Sequence, residues 1–243
     1  MKPILFSIQG VNFYSYGLFV ALAFLICYLV VWFVSYKKKM IDKLLFEKLL
    51  LVLAAGIIFA RILFYILYDI GSLPWYSIFN PTIGGMVSFG GLIGGFILFI
   101  ILFRKNLWKW MDIFSLGFLA GAAIWRIGCF LSHDHPGIFT TAWYGINYEA
   151  PAILFEIIVS AVGFAIFMFI YKKIKLIPGI LFFMVFGWYG LGRIFIDNFR
   201  EDGIFLWHLK GGQFAGIIML VIALIGILII KKTLGEKHNE RIK

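Results

Sequence analysis

The chain has 243 residues, of which 63% are hydrophobic and only 14% charged. That composition excludes a water-soluble globule with a polar surface and marks an integral membrane protein. The formal net charge of +10 is spread in small Lys and Arg clusters at the ends of apolar runs, which reads as membrane topology and excludes a stripe tracking nucleic-acid phosphates.

A membrane span needs about 20 mostly apolar residues at about 1.5 Å each. Seven stretches meet or approach that need: 16–36, 45–67, 86–103, 112–131, 152–171, 178–198 and 212–230. The third is the shortest and the richest in glycine. The apolar stretches follow one another with short polar breaks, so one domain, 1–243, is expected. The N-terminus lacks the order of a cleaved signal, and the apolar run after it is long enough to span, so it is expected to be retained.

Lys37, Lys38, Lys39, Lys43 and Lys48 follow the first span, Arg104, Lys105 and Lys109 the third, Lys172, Lys173 and Lys175 the fifth, and Lys231, Lys232, Lys237, Arg241 and Lys243 the seventh. The connections 68–85 and 132–151 hold no Lys or Arg, and 199–211 offsets Arg200 and Lys210 with Glu201 and Asp202. The positive-inside rule then predicts an extracytoplasmic N-terminus and a cytoplasmic C-terminus. The fold class is an all-α membrane bundle of about seven helices.

Arg61, Arg126 and Arg193 lie near the ends of the second, fourth and sixth spans, each about 1.5 turns, or roughly 8 Å, inside the outer boundary. Tyr14, Tyr16, Glu156 and Gln213 fall on the same side. An arginine at the middle of a membrane helix costs about 2.5–3.5 kcal/mol, less near the interface, so such residues have a partner or a task. Arg61, Arg126 and Arg193 outnumber the in-bundle acids Glu156 and Asp197, an excess that an anionic ligand would balance. Arg61 could equally fix its helix to a neighbour.

Arg193, Asp197 and Arg200 share one helix face. The alternatives are an anion site, with Asp197 orienting a guanidinium toward phosphate oxygens, and a closed structural pair with Arg200 solvated. In GGMVSFGGLIGG, Gly84 to Gly95, Gly90 with Gly94 and Gly91 with Gly95 form small-xxx-small pairs suited to close helix approach, while the first half opens a helix whose N–H groups suit an anion. His133, Asp134 and His135 are a weak metal signal and read first as a polar turn, with either histidine a possible base. Neither a metal nor a cofactor is expected. Cys27 and Cys129 lack disulfide or zinc spacing.

Taken together, Tyr16-Gly17-Leu18, GGMVSFGGLIGG, RIGCFLSHDHPG, Pro151 with Leu154, Phe155 and Glu156, YGLGRIFIDNFRED and GGQF resemble, in order and over most of the chain, the bacterial phosphatidylglycerol–prolipoprotein diacylglyceryl transferases. The resemblance implies a seven-span, N-out enzyme of the cytoplasmic membrane. It moves the diacylglyceryl group of phosphatidylglycerol onto the lipobox cysteine thiol of a prolipoprotein and releases glycerol phosphate.

It further implies that Arg126 and Arg193 hold the lipid phosphate and that Tyr16, Asp134, Gly137 and Asp197 fall on family site positions; together with the reading of the residues themselves, Arg126, Arg193, Asp134 and Asp197 are expected to be catalytic and Tyr16, Arg61, Gly90, Gly91, Gly137 and Glu156 to contact substrate. This chain departs from the family at Phe89, where a histidine is common, at Cys129, where asparagine is common, and at Asp197, where glutamate is common. Phe89 cannot move a proton, which keeps open a family-like protein that binds or moves anionic phospholipid without transferring it.

Overall fold

The computed structural model describes residues 3–8, 11–40, 42–69, 74–79, 85, 87–134, 136–206 and 208–240. Seven α-helices run in order: α1 (Ser15–Lys37), α2 (Leu45–Phe64), α3 (Ser88–Phe103), α4 (Leu107–Ser132), α5 (Ala152–Lys173), α6 (Ile180–Ile196) and α7 (Gly211–Glu240). Among the described residues, six of them are long and apolar enough to cross a membrane, and α3 is a shorter apolar helix. An all-α membrane protein is the architecture expected from the apolar runs. Two small antiparallel hairpins join them: β1 (Ile4–Ile8) with β2 (Val11–Tyr14), and β3 (Ile204–Leu206) with β4 (Leu209–Lys210).

The chain forms two compact units, 1–35 with 108–243, and 36–107. In the first, α4 is buried along most of its length, with Ile113, Leu116 and Leu119 fully enclosed. Leu116 and Leu119 pack with Phe167 of α5 and Leu181 and Val185 of α6. Helix α6 meets α7 along small residues, where a Cβ at Gly216 would lie 2.6 Å from the Gly190 carbonyl oxygen. Because lipid tails are as apolar as the side chains, no hydrophobic effect drives helices together in a bilayer, and such close backbone contact is what holds them. Trp188 adds a cross-helix bond, its indole Nε1 donating to the Val159 carbonyl at 3.0 Å.

One buried acid has a purely architectural position. Asp112 accepts hydrogen bonds from the backbone N–H of Gly179 and of Phe182, both at 2.8 Å, so a side chain from α4 caps the start of α6. The chain turns there through Gly179 at φ +96°, and the two orphan amides of the new helix would otherwise face an apolar interior. Asp112→Ala is therefore expected to destabilise the protein by roughly 2 kcal/mol, and Asp112→Asn by less, in thermal unfolding of the detergent-solubilised protein. Equal stability of all three would remove this role.

In the second unit α2 packs on α3 through glycines. The Cβ position of Gly91 lies 3.3 Å from the Gly56 carbonyl oxygen, and that of Gly90 presses on the Phe59 carbonyl and Ala60. The small-xxx-small spacing thus reads out as helix approach. Arg61, in the last turn of α2, donates from Nη1 to the Gly85 carbonyl at 2.6 Å and from Nε to that of Ile78 at 3.4 Å. It ties the helix end to the chain that enters α3.

Candidate active site

The polar residues of the first unit converge where α4, α5 and α6 end or begin. Helix α5 starts after Pro151, and one turn in it presents Glu156, buried and facing two neighbouring helices. Arg126 reaches it from α4, Nε to Oε2 at 2.5 Å. Arg193 reaches it from the last turn of α6, Nη1 to Oε1 at 2.6 Å, while its Nη2 pairs with Asp197 one turn on at 3.1 Å. One carboxylate therefore bridges guanidinium groups from two separate helices.

A third guanidinium joins them. Past α6 the chain tightens into a 3-10 turn, Asp197–Phe199, and then extends, which swings Arg200 inward instead of into solvent. Arg200 is buried, with Nη1 3.4 Å from Glu156 Oε1 and Nε 2.9 Å from Asp202 Oδ2. Its position is fixed through the backbone. Arg200 bridges Gly137, Ile138 N–H donates to the Phe199 carbonyl at 3.0 Å, Glu201 N–H donates to the Pro136 carbonyl at 3.1 Å, and Lys210 Nζ donates to the carbonyl of Arg200 itself. Gly137 also lies directly on the Ala150 carbonyl, in a gap that no Cβ could share.

The charge arithmetic differs from the expected excess. Within this unit three guanidiniums meet three carboxylates, because Arg200 enters the cluster together with Asp202. Of the acids, Glu156 and Asp197 are buried, whereas the Asp202 side chain is 35% exposed at the rim. Asp197 Oδ1 is enclosed without a hydrogen-bond partner among the described residues.

Around this cluster stand further residues. The Tyr189 hydroxyl and the Cys129 thiol adjoin the Arg126 guanidinium. Tyr16 lies where the start of α1 passes Gly128 of α4, within electrostatic reach of Arg126 and Asp134. Asp134 sits at the end of α4, accepting from Ser132 Oγ at 2.7 Å, and His133 Nε2 lies 3.6 Å from Glu149 Oε1. Gly212, at the start of α7, lies so close to the Asp197 carboxylate and the Arg193 guanidinium that it forms part of the wall. Gln213 beside it bonds the Asn198 side chain at 3.0 Å.

The structure thus brings Tyr16, Arg126, Asp134, Gly137, Glu156, Arg193 and Asp197 into one unit, and places Arg61, Gly90 and Gly91 in the other, against the contacts of α2 and α3 already described. The Phe89 side chain, Gly84 and His135 lie outside the described residues. Tyr189 was not singled out in the sequence, although its place one turn before Arg193 was a usable signal.

A family model described as prolipoprotein diacylglyceryl transferase matches residues 3–229. The chain belongs to that family. Its curated relatives include a phosphatidylglycerol–prolipoprotein diacylglyceryl transferase of Campylobacter hominis, 29% identical over 90% of this chain and 88% of the relative. One from Staphylococcus carnosus is 27% identical over 94% and 90%, and one from Listeria innocua 25% identical over 96% and 90%.

Proposed function

We propose that this protein transfers the diacylglyceryl group of phosphatidylglycerol to the cysteine thiol of a prolipoprotein lipobox, at the outer leaflet of a bacterial cytoplasmic membrane. The observation that carries the reading is family membership over nearly the whole chain. The Lys and Arg distribution supports an extracytoplasmic N-terminus and a cytoplasmic C-terminus, which sets the arginine cluster near the external surface.

The chemistry asks for little beyond charge. The thiol sulfur attacks the glyceryl carbon that carries the phosphate ester, the carbon–oxygen bond breaks, and its electron pair leaves on the phosphate as glycerol phosphate. The thiol proton is lost to the medium. The Arg126 guanidinium, held to Glu156 through Nε and bordered by Tyr189 and Cys129, receives the phosphate, and Arg193, whose Nη groups are held by Glu156 and Asp197, adds positive charge from a second helix. Negative charge growing on the departing oxygens is stabilised by these prepositioned donors in a water-poor site. A cysteine of ordinary pKa about 8.5 near cationic groups is already partly thiolate, which offsets the loss of a histidine at Phe89. Asp134 and Tyr16 border the same space.

Purified protein incubated with labelled phosphatidylglycerol and a lipobox peptide should yield a thioether-linked product and free glycerol phosphate. Lipid binding without product would instead favour the reading in which Phe89 and Cys129 mark a lipid binder. The wall at Gly212 gives a second check. A methyl group there must displace either the Asp197 carboxylate or the Arg193 guanidinium, so Gly212→Ala should lower kcat by on the order of 10²-fold while the protein still inserts and folds. Unchanged kcat would show that the Arg193 and Asp197 geometry is not limiting.

A further inference from the structure

Between α4 and α5 the chain folds into a narrow antiparallel loop, 138–150, whose outward side is aromatic. Thr140 N–H donates to the Tyr148 carbonyl and Ala150 N–H to that of Ile138, both at 2.9 Å, and Phe139 bridges Glu149 across the loop. Backbone polar groups are thus paired within the loop, and its side chains decide what it faces. Phe139 is 75% exposed, Trp143 at the tip 96% and Tyr148 69%, with the Phe139 and Tyr148 rings stacked at 6.1 Å. From Ile138 to Tyr148 the sequence holds no charged residue. The tip is held against a membrane-spanning helix. Tyr144, in edge contact with Trp143 at 5.8 Å between ring centroids, packs 6.4 Å from Phe155 and 6.2 Å from Phe199. Phe155 lies one turn inside α5, a helix long and apolar enough to span. It heads a stripe at helical spacing, Ile158, Val162, Ile166 and Phe169, all of them exposed, the face that a spanning helix turns to lipid.

We propose that Phe139, Trp143 and Tyr148 enter the headgroup region of the bilayer that α5 spans, which makes the loop an aromatic anchor on the lipid surface. Contact through Tyr144 with Phe155 sets the tip beside the outer end of the lipid-facing stripe, where hydrocarbon gives way to headgroups. Trp and Tyr suit that boundary, because each carries an apolar ring and one polar group, N–H or O–H, that stays wet. The connection 132–151 holds no Lys or Arg, so the attraction does not depend on anionic lipid. The anchor adjoins the arginine cluster, since Gly137 at its base bridges Arg200 and Phe155 immediately precedes Glu156. Seating the loop in lipid holds that edge of the cluster at headgroup depth, whatever reaction the cluster performs.

Spin labels measure the depth directly. Trp143→Cys carries a nitroxide in the full-length protein in phosphatidylcholine nanodiscs, and its collisions with oxygen, which partitions into lipid, are compared with those of a water-soluble nickel chelate. Ile158→Cys on the exposed face of α5 is the lipid reference and Lys175→Cys, in the polar connection after α5, the water reference. Cys27 and Cys129 lie within α1 and α4, and the parent gives their labelling background. The oxygen-to-nickel ratio at 143 should be several-fold above that at 175 and below that at 158, and should be the same in phosphatidylglycerol nanodiscs. Tyr148→Cys repeats the measurement with the Trp143 ring in place, in case its loss unseats the tip. Lipid-like exposure at either position supports the anchor. Water-like exposure at both would overturn it, as would protection from both reagents, which would mean that a second copy or another protein covers the loop, or a ratio that rises only with anionic lipid.

Discussion

Replacing Arg126 with alanine is expected to cut kcat/KM for diacylglyceryl transfer by on the order of 10²–10³-fold, the loss associated with removing one prepositioned donor from a developing anion. The structure also says why the variant should remain folded. Glu156, the acid that Arg126 holds, keeps Arg193 at 2.6 Å and Arg200 at 3.4 Å, so no buried carboxylate is left without a cation. Truncation leaves two guanidiniums against three carboxylates, but the spare acid is Asp202, whose side chain is 35% exposed and screened by water, so the thermal midpoint in detergent should fall less than on loss of Glu156. Arg126→Lys keeps the charge but loses the planar fork, so it should recover part of the rate and not all of it. The measurement is single-variant kinetics with labelled phosphatidylglycerol and a lipobox peptide. Parent-like kcat/KM in Arg126→Ala would move the phosphate away from this residue and toward Arg193 and Arg200.

Most of the architecture was written in the spacing of apolar runs, and the departures have identifiable causes. The fourth span was expected from 112, whereas α4 begins at Leu107. Lys109 placed its first turn in the preceding connection, and the reason Asp112 can lie inside is that it caps α6, a contact between residues 67 positions apart that no local pattern reveals. The seventh helix runs to Glu240, ten residues past the expected end, because a polar helix extends beyond an apolar window without any change of backbone. The hairpins at 4–14 and 204–210 were not expected, being too short for an alternating pattern to stand out.

For the site, Arg193 and Asp197 were legible as an i,i+4 pair, and Glu156 as an in-bundle acid. Arg200 was legible only as a face-mate of Arg193, with solvation one of its two readings. It is buried because the backbone leaves helical geometry at Asp197 and is clamped to Gly137, a long-range pairing. The count of Arg61, Arg126 and Arg193 against Glu156 and Asp197 left out Arg200 and Asp202 for the same reason. Which charges meet depends on packing between helices, and sequence gives only their depth along each one.

Glu156→Gln should have the largest effect on stability, about 3–5 kcal/mol, because it removes the one carboxylate shared by three guanidiniums, those of Arg126 and Arg200 buried and that of Arg193 partly so. The amide offers one carbonyl oxygen, enough to accept from Arg126 or from Arg193 but not to neutralise either. Asp197 and Asp202 remain, each already assigned to a single arginine, so the cluster passes from three against three to three against two. A positive excess of one charge in a membrane interior has two consequences that can be separated. Turnover falls, since Arg126 and Arg193 lose the bridge that sets their spacing. Affinity for anions rises, because a phosphate now supplies the missing charge. Glycerol phosphate should accordingly raise the thermal midpoint of Glu156→Gln more than that of the parent, in proportion to ligand bound to the folded state. A general base at this position would lose turnover without that added anion response. Equal midpoints for the parent and Glu156→Gln, with equal response to glycerol phosphate, would mean that Glu156 does not balance the arginines, and the electrostatic account of the site would have to be rebuilt around Asp197.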